Sequence, residues 1–171
     1  MKQAFALFLI ATVVALPASA QEHDNSAYLT AFSGDFDGAS EKLHSLGEAI
    51  PEDLFDWRPA EGIRSVLEVL DHVSDANFGI AAALGHASDY GSNKSETKEA
   101  ALERLMASQN HVRGLLETMG DADLGESIQL FGMQLNVYGA LAIIGGHTHE
   151  HLGQMIAYAR SNGVAPPWSG G

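Results

Sequence analysis

Residues 145–155 read GGHTHEHLGQM, which places three histidines, His147, His149 and His151, within five positions. A neutral imidazole is a good ligand for a divalent ion and a proton carrier near neutral pH. Helical geometry sorts the three. At about 100° per residue, Ala140, Ile144, His151 and Tyr158 fall within about 60° of His147, whereas His149 falls about 160° away. An i, i+4 pair can share one ion and an i, i+2 pair cannot. His147 and His151 are therefore expected inside an apolar stripe, with His149 facing water.

Two inward imidazoles need a further partner, because buried polar groups are costly when left alone. His72 is the best candidate for a third ligand, since it flanks the stripe of another helix beside Val69 and Ala76. His44 and His111 sit on stripe flanks of other helices, His86 near a helix end, and His23 near the start of the chain. Glu68, one turn before His72, either closes a capping box with Ser65 or orients the His72 ring. Glu150 and Tyr158 are weaker candidates for the mouth of such a site. Trp57 and Trp168 read as packing residues near a bundle rim.

The composition narrows the chemistry. With 9 basic and 22 acidic residues the chain has a net charge of −13, which disfavours nucleic acid and anionic membrane surfaces as partners. There are no cysteines, so disulfides, thiolate metal sites and cysteine nucleophiles are excluded. A metal here is held by nitrogen and oxygen alone.

The elements that must position these residues read as four amphipathic helices in one domain, residues 21–171. Leu29, Phe32, Phe36, Ala39, Leu43, Leu46 and Ile50 step by three and four, and Pro51 ends that helix. Ser65 and Glu68 mark the start of the second helix, with Val66, Leu70, Val73, Asn77, Ile80 and Leu84 on one side. The third is expected from about Ser95, along Leu102, Leu105, Val112, Leu116 and Met119. Residues 120–136 read as a turn-rich crossing without strands. The fourth helix runs from about Val137 to Ser161, with Asn162 and Gly163 suited to a left-handed cap. Four such helices are expected to form an all-α four-helix bundle, whose facing helices build cofactor sites.

Residues 1–20 have the form of a signal peptide. Lys2 precedes an apolar run over residues 4–16, Pro17 breaks it, and Ala18-Ser19-Ala20 has the small-x-small cleavage form. The expectation is an exported chain, periplasmic or secreted, cleaved after Ala20 and without a membrane span thereafter.

Two segments carry a family resemblance. RPAEGIRSVLEVLDHVSDAN (58–77) and HTHEHLGQMIAYARSNGVAPPWS (147–169) resemble the DinB-like family of metalloenzymes. The matching features are the Trp-x-Pro-like connection with its second-helix histidine, then His-x-x-x-His, Gly-Gln, Tyr-x-Arg, Gly and Pro-Pro. The resemblance covers roughly residues 27–169. It implies an up-down four-helix bundle, often dimeric, with one divalent ion, nickel or zinc and sometimes iron, held by His72, His147 and His151. Three protein ligands leave open positions for water or substrate. Some relatives are thiol transferases using bacillithiol, glutathione or mycothiol; an oxidising compartment keeps few free thiols, which argues against that activity for an exported chain. The resulting expectation is a metal-dependent enzyme of hydrolase or transferase type acting on a small molecule. The alternative is a bundle that binds a metal or small ligand without turnover.

Overall fold

A computed structural model describes residues 25–90, 93–120 and 122–170. The expected signal peptide and His23 lie outside the described residues. Among the described residues, no helix is long and apolar enough to cross a membrane.

Helix α1 spans Asn25–Ala49, and its stripe from Phe32 to Ile50 is buried. Pro51 follows, where the missing N–H and fixed φ end the helix. Helix α2 spans Val66–Ala83 and opens with a complete capping box. The Ser65 Oγ accepts the Glu68 N–H at 3.3 Å, and the Glu68 carboxylate accepts the Ser65 N–H at 2.7 Å.

Helix α3 spans Lys98–Thr118, so it starts after the expected Ser95. The reason is chemical: Ser95 gives its N–H and its hydroxyl proton to the Asp71 carboxylate, at 2.8 and 2.7 Å. Thr97 caps α3 instead, accepting the Ala100 N–H at 3.2 Å.

The crossing after α3 contains a hairpin that the sequence reading did not anticipate. Strand β1 (Ser127–Leu130) pairs antiparallel with β2 (Met133–Asn136), with Ile128 opposite Leu135. Phe131 and Gly132 form the turn at φ 52° and 76°, the paired positive values of a type I′ turn. Strands of four residues ending in a Phe-Gly turn carry little of the Asn-Gly signal that marks hairpins. The all-α reading is therefore corrected to a helical bundle with one small hairpin.

Helix α4 spans Val137–Ser161, capped by the Asn136 side chain. It ends at Asn162, and Gly163 takes φ 74°, as expected of a left-handed terminus.

The bundle order departs from simple up-down. One apolar cluster joins Leu46 and Ile50 of α1, Val66 and Leu70 of α2, Ala101 and Leu105 of α3, and Met155 and Tyr158 of α4. The other joins Phe32 and Phe36, Ile80, Val112 and Leu116, and Ala140 and Ile144. Helices α2 and α3 thus run parallel, and so do α1 and α4, giving an up-down-down-up order. Helices α1 and α2 each pack on both α3 and α4 and lie diagonally opposite one another. Parallel neighbours need a returning connection. The connection from α2 to α3 supplies it, its described residues contacting α2 at successively earlier positions: Tyr90 stacks on Phe78, Lys94 pairs with Asp75, and Ser95 bonds Asp71. At about 3.3 Å per residue, that segment easily covers the roughly 27 Å length of an 18-residue helix. Helices α1 and α4 approach closely at Gly145, where a Cβ would meet the Phe32 ring at 3.2 Å.

Between the two apolar clusters lies a band of buried polar side chains. It includes Ser40, Ser74, Asn77, Ser108, Gln109, Thr148 and His151. Asn77 bonds Ser108 across α2 and α3, and Gln109 bonds the Ser40 carbonyl across α3 and α1.

Candidate metal centre

The fold brings His72 of α2 against His147 and His151 of α4. The Nε2 atoms of His147 and His72 are 3.1 Å apart, and those of His151 and His147 are also 3.1 Å apart. Each of the three rings offers one nitrogen, and these three atoms lie within 4.8 Å of one another. The rings meet edge to face, with centroids 4.4 to 4.9 Å apart. Nitrogens bound to one ion at about 2.0–2.1 Å stand about 2.9–3.4 Å apart for coordination angles between octahedral and tetrahedral. Two of the three separations fit a shared ion, and the all-nitrogen donor set suits zinc, nickel or iron.

The protonation states fit as well. Burial first, then the neighbouring His151, His72 and Arg64, hold the His147 imidazole down to about 4. His72 is lowered mainly by burial and by Arg64, against a smaller opposing pull from Asp75. Neutral rings present lone pairs rather than N–H groups to a common point.

A hydrogen-bond chain sets the His151 tautomer. Tyr158 donates its hydroxyl proton to the Arg64 carbonyl at 3.1 Å, so its oxygen accepts the Gln154 N–H at 2.8 Å. That turns Gln154 Oε1 toward His151 Nδ1 at 2.7 Å. Nδ1 therefore carries the proton and donates it to Gln154, and Nε2 keeps its lone pair on the ligand side. Trp57 packs edge-on against Tyr158 and closes this end of the chain. His147 has no such support: its Nδ1 is buried without a hydrogen-bond partner.

Below His72, a buried ion-pair network joins α2 to α3. Arg104, 4% exposed, donates to the Asp71 carbonyl at 3.0 Å and to the Asp75 carboxylate at 2.6 Å. Asp71 and Asp75 are held by these partners and by Ser95 and Lys94. Burial alone would raise Asp75, but hydrogen bonds from Lys94 and Arg104 outweigh it and lower the carboxyl.

The other sequence candidates fall as follows. Glu68 serves the capping box and pairs with Arg58 at 3.0 Å, and the Ser65 N–H is the main cause lowering its carboxyl. Glu150 is exposed and lines a small cleft beside His151, Arg64 and Gln154. Tyr158 is buried, its hydroxyl engaged as above. His149 faces outward and meets Asp35 at 3.0 Å. His44 lies near Glu48, and His111 bonds the His86 carbonyl, both away from the triad. Sequence reasoning missed Gln154 and Arg64. The Gly-Gln pair just after His151 was the available signal for Gln154, at i+3 on the same helix.

The DinB superfamily profile matches residues 35–155, which include all three histidines. The chain belongs to the DinB superfamily. Solved DinB-like structures share its fold. A DinB-like protein from Bacillus cereus is 18% identical with a TM-score of 0.73, over 81% of this chain and 95% of that one. A DinB-like protein from Bacillus subtilis is 21% identical with a TM-score of 0.65, over 78% and 92%. YfiT from Bacillus subtilis is 16% identical with a TM-score of 0.66, over 85% and 93%; it is described as a probable metal-dependent hydrolase with an unusual four-helix bundle topology. No curated protein matches the chain. In this chain the triad sits where α2 and α4 pack.

Proposed function

We propose that this DinB superfamily chain is a metal-dependent enzyme of hydrolase or transferase type, with one divalent ion held by His72, His147 and His151. The observation that carries the reading is the convergence of three imidazole nitrogens, two of the separations being 3.1 Å, with His72 bordering one open cleft and His151 another. When bound, such an ion supplies Lewis acidity toward a substrate oxygen or a bound water. Three protein ligands leave room for either. The description of YfiT as a probable metal-dependent hydrolase supports this class of chemistry.

The chain's own groups take the remaining roles. Gln154 orients His151, and α2 presents His72 to the same point. Glu150 lines the cleft beside His151 and forms no ion pair among the described residues. It is the group placed to accept a proton from a nucleophile there.

Elemental analysis of the gently purified full chain tests the reading. The expected result is about one equivalent of zinc, nickel or iron, lost in the His147→Ala/His151→Ala pair while helicity is kept. Protein that neither retains nor takes up any of these ions refutes it. The same reading places the protein outside the cytoplasm, on the strength of the Lys2, apolar-run and Ala-Ser-Ala pattern. Intact mass of the expressed protein is expected to correspond to a chain beginning at Gln21.

A further inference from the structure

Arg64 immediately precedes the N-cap of α2. It lines two clefts that reach the triad from different sides. The larger, about 800 Å³, includes His72; the smaller, about 610 Å³, includes His151 and Glu150. Arg64 therefore borders both openings, and its charge is felt at His72 and His147.

The other cations of this rim are already matched. Arg58 pairs with Glu68, Lys94 with Asp75, and Arg104 with Asp71 and Asp75. Among the described residues, no carboxylate lies within ion-pair distance of the Arg64 guanidinium; its charge helps lower the carboxyl of Glu68, which is already paired with Arg58, and its carbonyl accepts from Tyr158. That bond fixes the backbone of Arg64 to the same chain, through Tyr158 and Gln154, that orients His151.

The location is unfavourable for a cation on stability grounds. Arg64 is exposed and gains little from burial. It stands at the positive end of the α2 dipole, where anionic groups are favoured. It also stands beside a donor set suited to a divalent cation, and like charges repel at short range. An anion lying between the guanidinium and the triad removes both conflicts. A guanidinium takes a carboxylate or a phosphate through two parallel N–H donors, which sets direction as well as affinity. Ile63, 44% exposed, lines both clefts and offers an apolar contact to the body of the same molecule.

We infer that Arg64 is a specificity residue: it binds an anionic group, carboxylate or phosphate, of a substrate whose reacting end lies at the three-histidine centre. The inference rests on the metal reading above.

The test uses the full chain loaded with cobalt(II), whose visible absorbance reports ligand exchange without turnover. Three hydroxamates serve as probes: one with a neutral alkyl tail, one with a carboxylate tail and one with a phosphonate tail. In the wild type an anionic tail is expected to tighten binding at least about tenfold over the neutral tail, and the better of the two identifies the anion. Arg64→Gln is expected to abolish that preference while leaving the neutral probe within about twofold. Arg64→Lys keeps the charge without the fork and is expected to retain part of it. Equal binding of all three probes by the wild type, or a preference that survives Arg64→Gln, overturns the inference while the metal reading stands. A wild-type chain that takes up no cobalt overturns the metal reading, and this inference with it.

Discussion

His151 Nδ1 donates its proton to Gln154 Oε1 at 2.7 Å, one turn further along α4. This bond decides which ring nitrogen of His151 is free to act as a ligand. The glutamine is held in turn by Tyr158, so the orientation of the His151 ring depends on a residue that lines neither cleft.

Gln154→Ala is expected to weaken metal affinity about 10-fold to 100-fold with little change in helicity, because orienting partners of ligating histidines contribute on that scale. Tyr158→Phe is expected to have a smaller effect in the same direction. Competition against a chromogenic chelator measures both.

The metal-free protein is expected to lose stability as pH falls from about 6.5 to about 4. His147 is held down to about 4 in the fold, against 6.5 for an ordinary imidazole. Across that window the unfolded chain binds more protons than the folded one, so stability rises with pH within it and the histidine makes no difference above it. Urea midpoints at pH 7, 5.5 and 4.5 give the slope, and His147→Gln is expected to flatten it.

Arg104→Ala is expected to destabilise the bundle by about 3–5 kcal/mol, because Asp71 is left buried without its cation. The Asp71 side chain is 2% exposed and has little access to water. A smaller loss is expected for Asp71→Asn combined with Arg104→Met, which removes both charges together. Urea unfolding followed by circular dichroism compares the two.

Ser65→Ala is expected to cost about 1 kcal/mol through loss of the α2 cap. Metal affinity is expected to be unchanged, since Ser65 and Glu68 satisfy one another and not His72. A loss of metal affinity matching that of Gln154→Ala would instead assign Glu68 an orienting role at His72.

Much of the fold is legible because helices declare themselves locally. The stripe from Phe32 to Ile50, the Ser65–Glu68 box and the Asn162-Gly163 terminus each depend on residues within a few turns of one another. Where a long-range partner intervenes, the reading slips. Ser95 looks like a cap and is instead bonded to Asp71, 24 positions away. The Phe-Gly hairpin escapes because its strands are too short to establish alternation.

The sequence by itself determined the inward pair His147 and His151, the outward His149, the absence of thiolate donors and the four helices. These follow from residue type and a fixed angular step. Only the tertiary structure decided that α2 runs parallel to α3, that His72 meets the pair 75 positions later, and that Gln154, Tyr158 and Arg64 are joined to the same centre. Helix direction and helix neighbours depend on how the connection between α2 and α3 is held to α2 through Tyr90, Lys94 and Ser95. That choice is made by side chains meeting across the bundle, and no local periodicity encodes it.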